Sequence, residues 1–547
     1  MLPALAFIAS IFCTMVLIPP LMQRAQRFSL IDLPNLRKIH VQPVPRIGGV
    51  AMLLGAMVPI LMWAPHTRTV VSYVLGVLVL GGFGLWDDRR DLDYRLKVLG
   101  QFLAILIVVV GGGVSIQFLP GYGPHPVAYW VAFPLTIFAL LGITNAINLA
   151  DGLDGLAAGV TFISLIAIAV LAYLAENSVL LLLVLPVLGC LVGFLRFNTH
   201  PAAIFMGDTG SQFLGFSLGI LVIQTVGQPT FQISPCAPLL LLGVPILDTL
   251  TVMVLRIRAG NSPFRPDKNH LHHKLLAFGL DHYEAVLCIY VVQALLVCAG
   301  VLLRAESCWV NLLVFGAIIF SSLLVLLLVA PQRLAERHRV APVAGTFRLS
   351  QLLQRCQRSG GLSRYPLVFL SAGVPLYLLW AAVQVDSLPR TALAISFGLW
   401  ALSLILWVVL RAQGAFHALE RLALCAGISA IVYHSVLGGR YAESTLVGEY
   451  WFLTGLVAAI ILVSRFAQPR LFTVTTLDFL VVFAVLGVPS LLGRGIFNAD
   501  LGQVAVKSVI LYYALELLIL QTAARAFWIR ASNAAVLSVF LGHSVWF

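Results

Sequence analysis

The stretch Asn145-Ala-Ile-Asn148-Leu-Ala-Asp151-Gly152-Leu-Asp154-Gly155-Leu follows directly on an apolar run, Val127 to Ile143, of the length needed to enter a bilayer. Polar or charged side chains recur there at every third position, and each carboxylate is followed by a glycine. Ionisable groups at a membrane edge are costly and are normally retained for function. Two carboxylates and two carboxamides beside paired glycines therefore mark a site, not packing.

The rest of the chain has the same setting. Of 547 residues, 60% are hydrophobic and only 10% charged, with mean hydropathy +0.99, whereas soluble globular proteins carry about 25% charged residues. The apolar runs are helix-length and lack the alternation of an outer-membrane barrel, so the expected fold is an all-α polytopic integral membrane protein. The net charge of +12 suits Lys/Arg-bearing cytoplasmic loops and needs no nucleic acid to explain it. The eight cysteines lie mostly in apolar runs, form no C-x-x-C pair, and read as packing residues.

Counting about 18 to 22 apolar residues per crossing, the first 330 or so residues hold about eleven spans. They begin near Leu2, Ile47, Val70, Leu96, Val127, Gly155, Val179, Asp208, Cys236, Glu284 and Trp309. The first has no basic residue before it and no cleavage pattern after it, so it reads as a retained span, not a signal peptide. The expected division is a membrane domain at 1–335, a basic connector at 336–364 with Arg337, Arg339, Arg348, Arg355, Arg358 and Arg364, and a further region at 365–547 with about six or seven spans. With a periplasmic N-terminus, the connections Arg24 to Arg46, Asp87 to Lys97, Asn145 to Asp154, Arg196 to Asp208 and Arg256 to Lys274 are cytoplasmic and hold nearly all the charge, as the positive-inside rule requires. Every polar motif falls on that face, which points to one composite site.

Four further motifs share it. Asp87-Asp88-Arg89-Arg90-Asp91 closes the third span, where carboxylates one turn apart could bind a divalent cation or act as a base on a phosphate-bearing lipid; a solvated loop that anchors the helix is the plain alternative. Asn198 leads into Phe205-Met-Gly207-Asp208-Thr-Gly210-Ser211 at the start of the eighth span, where one carboxylate among glycines can hold Mg²⁺ and free backbone N–H groups can meet a phosphate. Helix capping is the competing explanation for Asp208, as it is for one of Asp151 and Asp154. Arg265-Pro-Asp-Lys-Asn-His270-Leu-His272-His273 mixes imidazoles with cations. That setting disfavours zinc and suits a diphosphate. Asp32-Leu-Pro34-Asn-Leu-Arg37-Lys38-Ile-His40, with Arg46 beyond it, adds more cations to the same face. Carboxylates for Mg²⁺, cations for phosphates and a bilayer-facing location describe phosphoryl transfer to or from a lipid phosphate.

In order and spacing these five motifs resemble those of the polyprenyl-phosphate N-acetylhexosamine-1-phosphate transferases, over roughly residues 1–335. The His270-Leu-His272-His273 form, preceded by Arg-Pro-Asp, is similar to the undecaprenyl-phosphate GlcNAc-1-phosphate branch, which starts lipid-linked cell-envelope glycans such as O-antigen and teichoic-acid linkage units. The resemblance implies a bacterial inner-membrane enzyme with its site on the cytoplasmic face. Undecaprenyl phosphate would attack a UDP-N-acetylhexosamine, releasing UMP. It implies catalytic roles for Asp87, Asp88 and Asp208, with Asp208 holding Mg²⁺ or Mn²⁺ and Asp87 and Asp88 facing the lipid phosphate. Substrate would be bound by Lys38, His40, Arg46, Asn145, Asn148, Asp151, Asp154, Asn198, Phe205 (stacked on uracil), Arg265, His270, His272 and His273. Direct attack and a covalent phospho-aspartate are both compatible with these residues, as is a homodimer.

Two other readings stand beside this one. The Asp87-Asp-Arg-Arg-Asp91 pattern also suits an intramembrane prenyltransferase, which would release inorganic diphosphate. Residues 365–547 suit a lipid or sugar transporter, with Glu516 the most conspicuous charge in an apolar run. Since all the motifs precede the connector, truncation after about Arg358 is expected to spare transferase activity.

Overall fold

The computed structural model describes residues 2–32, 43–120, 122, 125–227, 233–260, 262, 270–338, 361–383, 428, 432, 435–436, 443–466, 475–492 and 499–521. Among the described residues the regular structure is helical apart from one two-residue antiparallel ladder, β1 (Ile31–Asp32) against β2 (Val44–Pro45). In chain order the helices are α1 (Leu2–Arg24), α2 (Gly48–Trp63), α3 (Arg68–Arg90), α4 (Tyr94–Leu106, continued as a π-helix over Ile107–Gly111), α5 (Tyr129–Ala150), α6 (Leu156–Leu174), α7 (Ser178–Asn198) and α8 (Gly207–Val226). There follow α9 (Ala237–Leu241), α10 (Gly243–Arg258), α11 (Leu271–Ala277), α12 (His282–Leu302), α13 (Cys308–His338), α14 (Gly361–Val383), α15 (Glu443–Phe466), α16 (Thr476–Leu492) and α17 (Ala499–Gln521). Each of the eleven expected spans has a helix starting within two residues of its expected start. Among the described residues, nine helices are long and apolar enough to cross a membrane, all between Leu2 and Leu327. The chain is a multi-pass membrane protein.

Two compact units are formed, one from Met1–Val340 with Thr475–Leu491, the other from Ala341–Val474 with Leu492–Phe547. In the first, α8 is the central post, packed by α2, α3, α5 and α6. The apolar windows of α6 and α8 are 89% buried, against 6% for the Cys308–Leu327 part of α13, which presents most of its side chains outward. Because successive helices alternate in direction, the C-terminal ends of α3, α5 and α7 and the N-terminal ends of α4, α6 and α8 gather at one end. This is where the polar motifs lie.

The ninth expected span is not one helix. It breaks at Leu242 into α9 and α10. The interrupted backbone is repaired by side chains: Gln293 Oε1 accepts from Val244 N–H at 3.0 Å, while Gln293 Nε2 and Ser164 Oγ donate to the Leu241 carbonyl at 2.9 and 2.8 Å. A broken helix is tolerated at membrane depth where other groups satisfy the freed backbone.

In the second unit, α14, α15 and α17 enclose an apolar core that includes Leu370, Leu378, Leu456, Leu511 and Leu515. Within it Lys507 Nζ lies 2.7 Å from Glu449 Oε1, which also accepts from the Tyr377 hydroxyl at 2.6 Å. The Glu516 side chain and the remainder of the expected C-terminal spans lie outside the described residues.

Candidate active site

The first turn of α8 decides the geometry. Helices α3 and α12 are capped locally: Thr67 accepts from Val70 N–H, and Asp281 with Glu284 forms a capping box. At α8 the N-cap position is Met206, with no side-chain cap of its own. Its free N–H groups are taken by a residue 120 positions away in sequence: Asp88 Oδ1 accepts from Asp208 N–H at 2.6 Å, and Asp88 Oδ2 accepts from Thr209 N–H at 3.0 Å and from the Thr209 hydroxyl at 2.6 Å. Gly207 makes the approach possible, with φ at +65°; a Cβ there would sit 2.4 Å from Asp88 Oδ1. Asp88 is therefore committed to α8, and Asp208 is free of the capping role that its position at a helix start suggested.

Asp208 faces inward among three groups. Asn148 Nδ2 donates to its Oδ1 at 2.6 Å and to Ser211 Oγ at 2.8 Å. Lys97 Nζ, on the first turn of α4, lies 3.2 Å from Asp208 Oδ2 and 2.5 Å from Asp87 Oδ2. Asp87 is almost fully buried, and its Oδ1 accepts from Leu92 N–H at 2.7 Å. Two carboxylates thus converge on one ammonium. Behind them Asn145 Nδ2 donates to Gln101 Oε1 at 2.9 Å.

The other motif residues serve the loops. Asn198 is buried, its Oδ1 accepting from Gly155 N–H and its Nδ2 donating to the Ile204 carbonyl, so both ends of its amide are spent on backbone. Asn198, and neither Asp151 nor Asp154, satisfies the start of α6. Asn198, expected to bind substrate, staples the α5–α6 loop to the α7–α8 loop. Asp154 Oδ2 accepts from Ala202 N–H at 3.1 Å and is 2.6 Å from His200 Nδ1. Asp154, His200 and His282 each offer a donor atom within 4.8 Å of the others, a set that could suit a transition ion. Their rings, however, lie stacked with centroids 3.9 Å apart, whereas two imidazoles bound to one ion diverge from it. The cluster reads as a clamp on the loop.

Arg46 pairs with Asp32 beside the β ladder. Phe205 N–H donates to the Pro45 carbonyl at 2.8 Å, and its own carbonyl accepts from Gly48 N–H at 2.9 Å, which stitches the first loop to the Asp208 loop. On the opposite wall, Asp248 of α10 binds His270 Nδ1 at 2.9 Å and accepts from Leu271 N–H at 2.7 Å. The buried His272 ring lies under Gly152, with His273 tilted against it at 4.3 Å. Burial and the neighbouring His273 push the His272 pKa down to about 4. It presents a neutral imidazole. Lys38, His40 and Arg265 lie outside the described residues.

Asp151 sits among other carboxylates. Crowding by protein partly withdraws its carboxyl from water, and Asp208, Asp88 and Asp154 repel its charge, so its pKa is pushed up to about 7; Arg46 pulls it the other way, and the residue remains exposed to solvent. The fold therefore holds a proton that the unfolded chain gives up near its ordinary value of about 4. Its contribution to stability is full below that value and is lost as the pH rises through about 7. Asp151→Asn, permanently neutral, is expected to flatten this fall. Melting of both proteins in detergent at about pH 5 and about pH 8 checks it: a Tm difference between them that is identical at the two pH values contradicts the expectation.

Sequence reasoning missed Lys97, Asp248, His200 and His282. Asp248 carried a usable signal, an ionisable group inside the apolar run Val244 to Val254. Lys97 carried little, being one basic residue among several.

The model of glycosyl transferase family 4 matches residues 70–226, which include Asp87, Asp88, Asp151, Asp154 and Asp208. A Bacillus subtilis (strain 168) protein named as a probable undecaprenyl-phosphate N-acetylglucosaminyl 1-phosphate transferase is 37% identical over 323 residues, 58% of this chain and 90% of the relative. The chain belongs to glycosyl transferase family 4. It is also similar to proteins named decaprenyl-phosphate N-acetylglucosaminephosphotransferase in Mycolicibacterium smegmatis, at 36% over 325 residues (54% of this chain, 76% of the relative), and undecaprenyl-phosphate alpha-N-acetylglucosaminyl 1-phosphate transferase in Escherichia coli (strain K12), at 29% over 310 residues (53% and 82%).

Proposed function

We propose that this family 4 member transfers N-acetylhexosamine 1-phosphate, with GlcNAc the leading donor sugar, from a UDP-sugar to undecaprenyl phosphate. The reaction would take place at the cytoplasmic face of a bacterial inner membrane and start a lipid-linked envelope glycan. A phosphate oxygen of the lipid attacks the β-phosphorus of the UDP-sugar. A new P–O bond forms as the Pα–O–Pβ bridge breaks, the bridging oxygen leaves with UMP, and a lipid diphosphate sugar remains. The single observation that carries this reading is the convergence of Asp87 and Asp208 on the Lys97 ammonium, with Asp208 released from capping by Asp88.

That donor set fits a hard divalent cation, since carboxylate oxygens already gather around one positive charge. Asp208, with Asp87, would hold Mg²⁺, whose charge when bound offsets that of the diphosphate. Asn148 orients Asp208, Lys97 balances the carboxylates and can meet a phosphate oxygen, and Asp87 orients the incoming lipid phosphate or takes its proton. Asp151, Phe205, His272 and His273 would bind the nucleoside and sugar. A prenyltransferase reading is disfavoured by Asp88, because both oxygens of that member of the D-D-x-x-D pattern are engaged by α8.

Incubating purified protein with undecaprenyl phosphate and a panel of UDP-sugars is expected to yield UMP and a lipid diphosphate sugar, most rapidly with UDP-GlcNAc. Release of inorganic diphosphate without UMP sinks the proposal. A subtler check comes from Gly152, where a Cβ would lie 2.2 Å from His272 Nε2. Gly152→Ala is expected to raise the KM for the UDP-sugar by about tenfold with kcat less affected; an unchanged KM removes His272 from the donor subsite.

A further inference from the structure

Helix α16 lies far beyond the family match at 70–226 and is flanked in sequence on both sides by the second unit, yet it belongs to the first. It is well begun: Asp478 Oδ2 accepts from Thr475 N–H at 2.5 Å and from the Thr475 hydroxyl at 2.9 Å. Thr476 and Leu480 are buried, and the Phe479 ring packs on Tyr290 with centroids 6.1 Å apart. Thr476 Oγ1 is buried beside the Tyr290 hydroxyl without a hydrogen bond of regular geometry.

Tyr290 itself is fully buried and reaches into the site loop. Its hydroxyl donates to the Gly155 carbonyl at 2.6 Å, passing over Gly159, where a Cβ would stand only 1.9 Å from that oxygen. Gly155 has φ at +78°, and its N–H is held by Asn198. The last residue of the Asp151-Gly-Leu-Asp154-Gly155 loop is thus pinned from both sides of its backbone, and the side chain that pins its carbonyl leans on α16. Among the described residues of 365–547, no other helix is placed in this unit.

We propose that Thr476 and Phe479 are positioning residues for the transferase site: through Tyr290 they fix the loop that carries Asp151 and Asp154, so the C-terminal region is a working part of the enzyme. The role in catalysis rests on the transferase reading above, whereas the mechanical coupling does not. It also reverses the expectation that truncation after Arg358 is harmless, because that cut removes α16.

The test uses the full chain in detergent or nanodiscs, with hydrogen–deuterium exchange followed in peptides covering 151–159. Thr476→Val and Phe479→Ala are each expected to speed exchange there by about two- to tenfold, the equivalent of one weakened polar contact or one lost packing contact. The KM for the UDP-sugar should rise by a similar factor with kcat nearly constant. Thr476→Ser, which keeps the hydroxyl, should behave as wild type. Val482→Ala, on the exposed side of α16, should change neither readout. Unchanged exchange in 151–159 for both Thr476→Val and Phe479→Ala overturns the proposal. If exchange rises while no UDP-sugar is turned over by any version of the protein, the coupling stands and the transferase reading falls.

Discussion

Asp208→Asn is expected to lower UMP release by about 10³-fold or more, the scale on which a directly acting charged group matters to phosphoryl transfer. The substitution is isosteric, and the α8 cap is supplied by Asp88, so the fold should survive. What changes is local: one oxygen that faces Lys97 or Asn148 becomes an NH₂, which cannot accept from either donor, and the negative charge shared with Asp87 is halved. Thermal melting gives a second readout. Mg²⁺ is expected to raise the Tm of the wild type and to leave the variant unmoved. A variant that turns over normally, or that is stabilised by Mg²⁺ to the same extent, refutes the metal assignment.

Asp88→Asn should have the next largest effect, and for a different reason. An asparagine can accept through one oxygen, but its NH₂ would then point at N–H or O–H donors of Asp208 and Thr209. Loss of a charged cap costs about 2 kcal/mol, so the Tm should fall. The first turn of α8 would relax, carrying Asp208 with it, and a displacement of about 1 Å can cost about 100-fold in rate. The expected signature is kcat down by about that factor with the KM for the UDP-sugar little changed. A selective rise in KM for undecaprenyl phosphate would instead return Asp88 to the lipid-facing role that its motif suggested.

The eleven expected spans of the first unit were legible because bilayer thickness sets a length that hydropathy displays directly, and every expected start has a helix within two residues. The interruption at Leu242 was not legible. It depends on Gln293 and Ser164, which reach the freed backbone from other helices. At the site, composition and spacing identified most of the residues that converge, Asp87, Asp88, Asn148, Asp151 and Asp208 among them, but not Lys97. They could not apportion roles. Whether an aspartate at a helix start caps that helix or faces a ligand is settled by what lies across from it, and for Asp208 that residue is 120 positions upstream. The same holds for Asn198, whose amide is consumed by loops on either side, and for Lys97, which gains its place only when α4 is set beside α8.

The capping of α8 by Asp88 also sets an order of events during synthesis. Asp88 leaves the ribosome 120 residues before the groups that it binds, which at about 5 to 20 residues per second is an interval of about 6 to 24 s. Throughout that time a carboxylate at the end of α3 waits at the membrane surface, and four further helices, α4 to α7, must enter before α8 arrives. The catalytic end of the molecule therefore cannot mature helix by helix. It closes in one late step, when the start of α8 docks on Asp88, and a chain stalled before Asp208 would hold every upstream motif and still have no site.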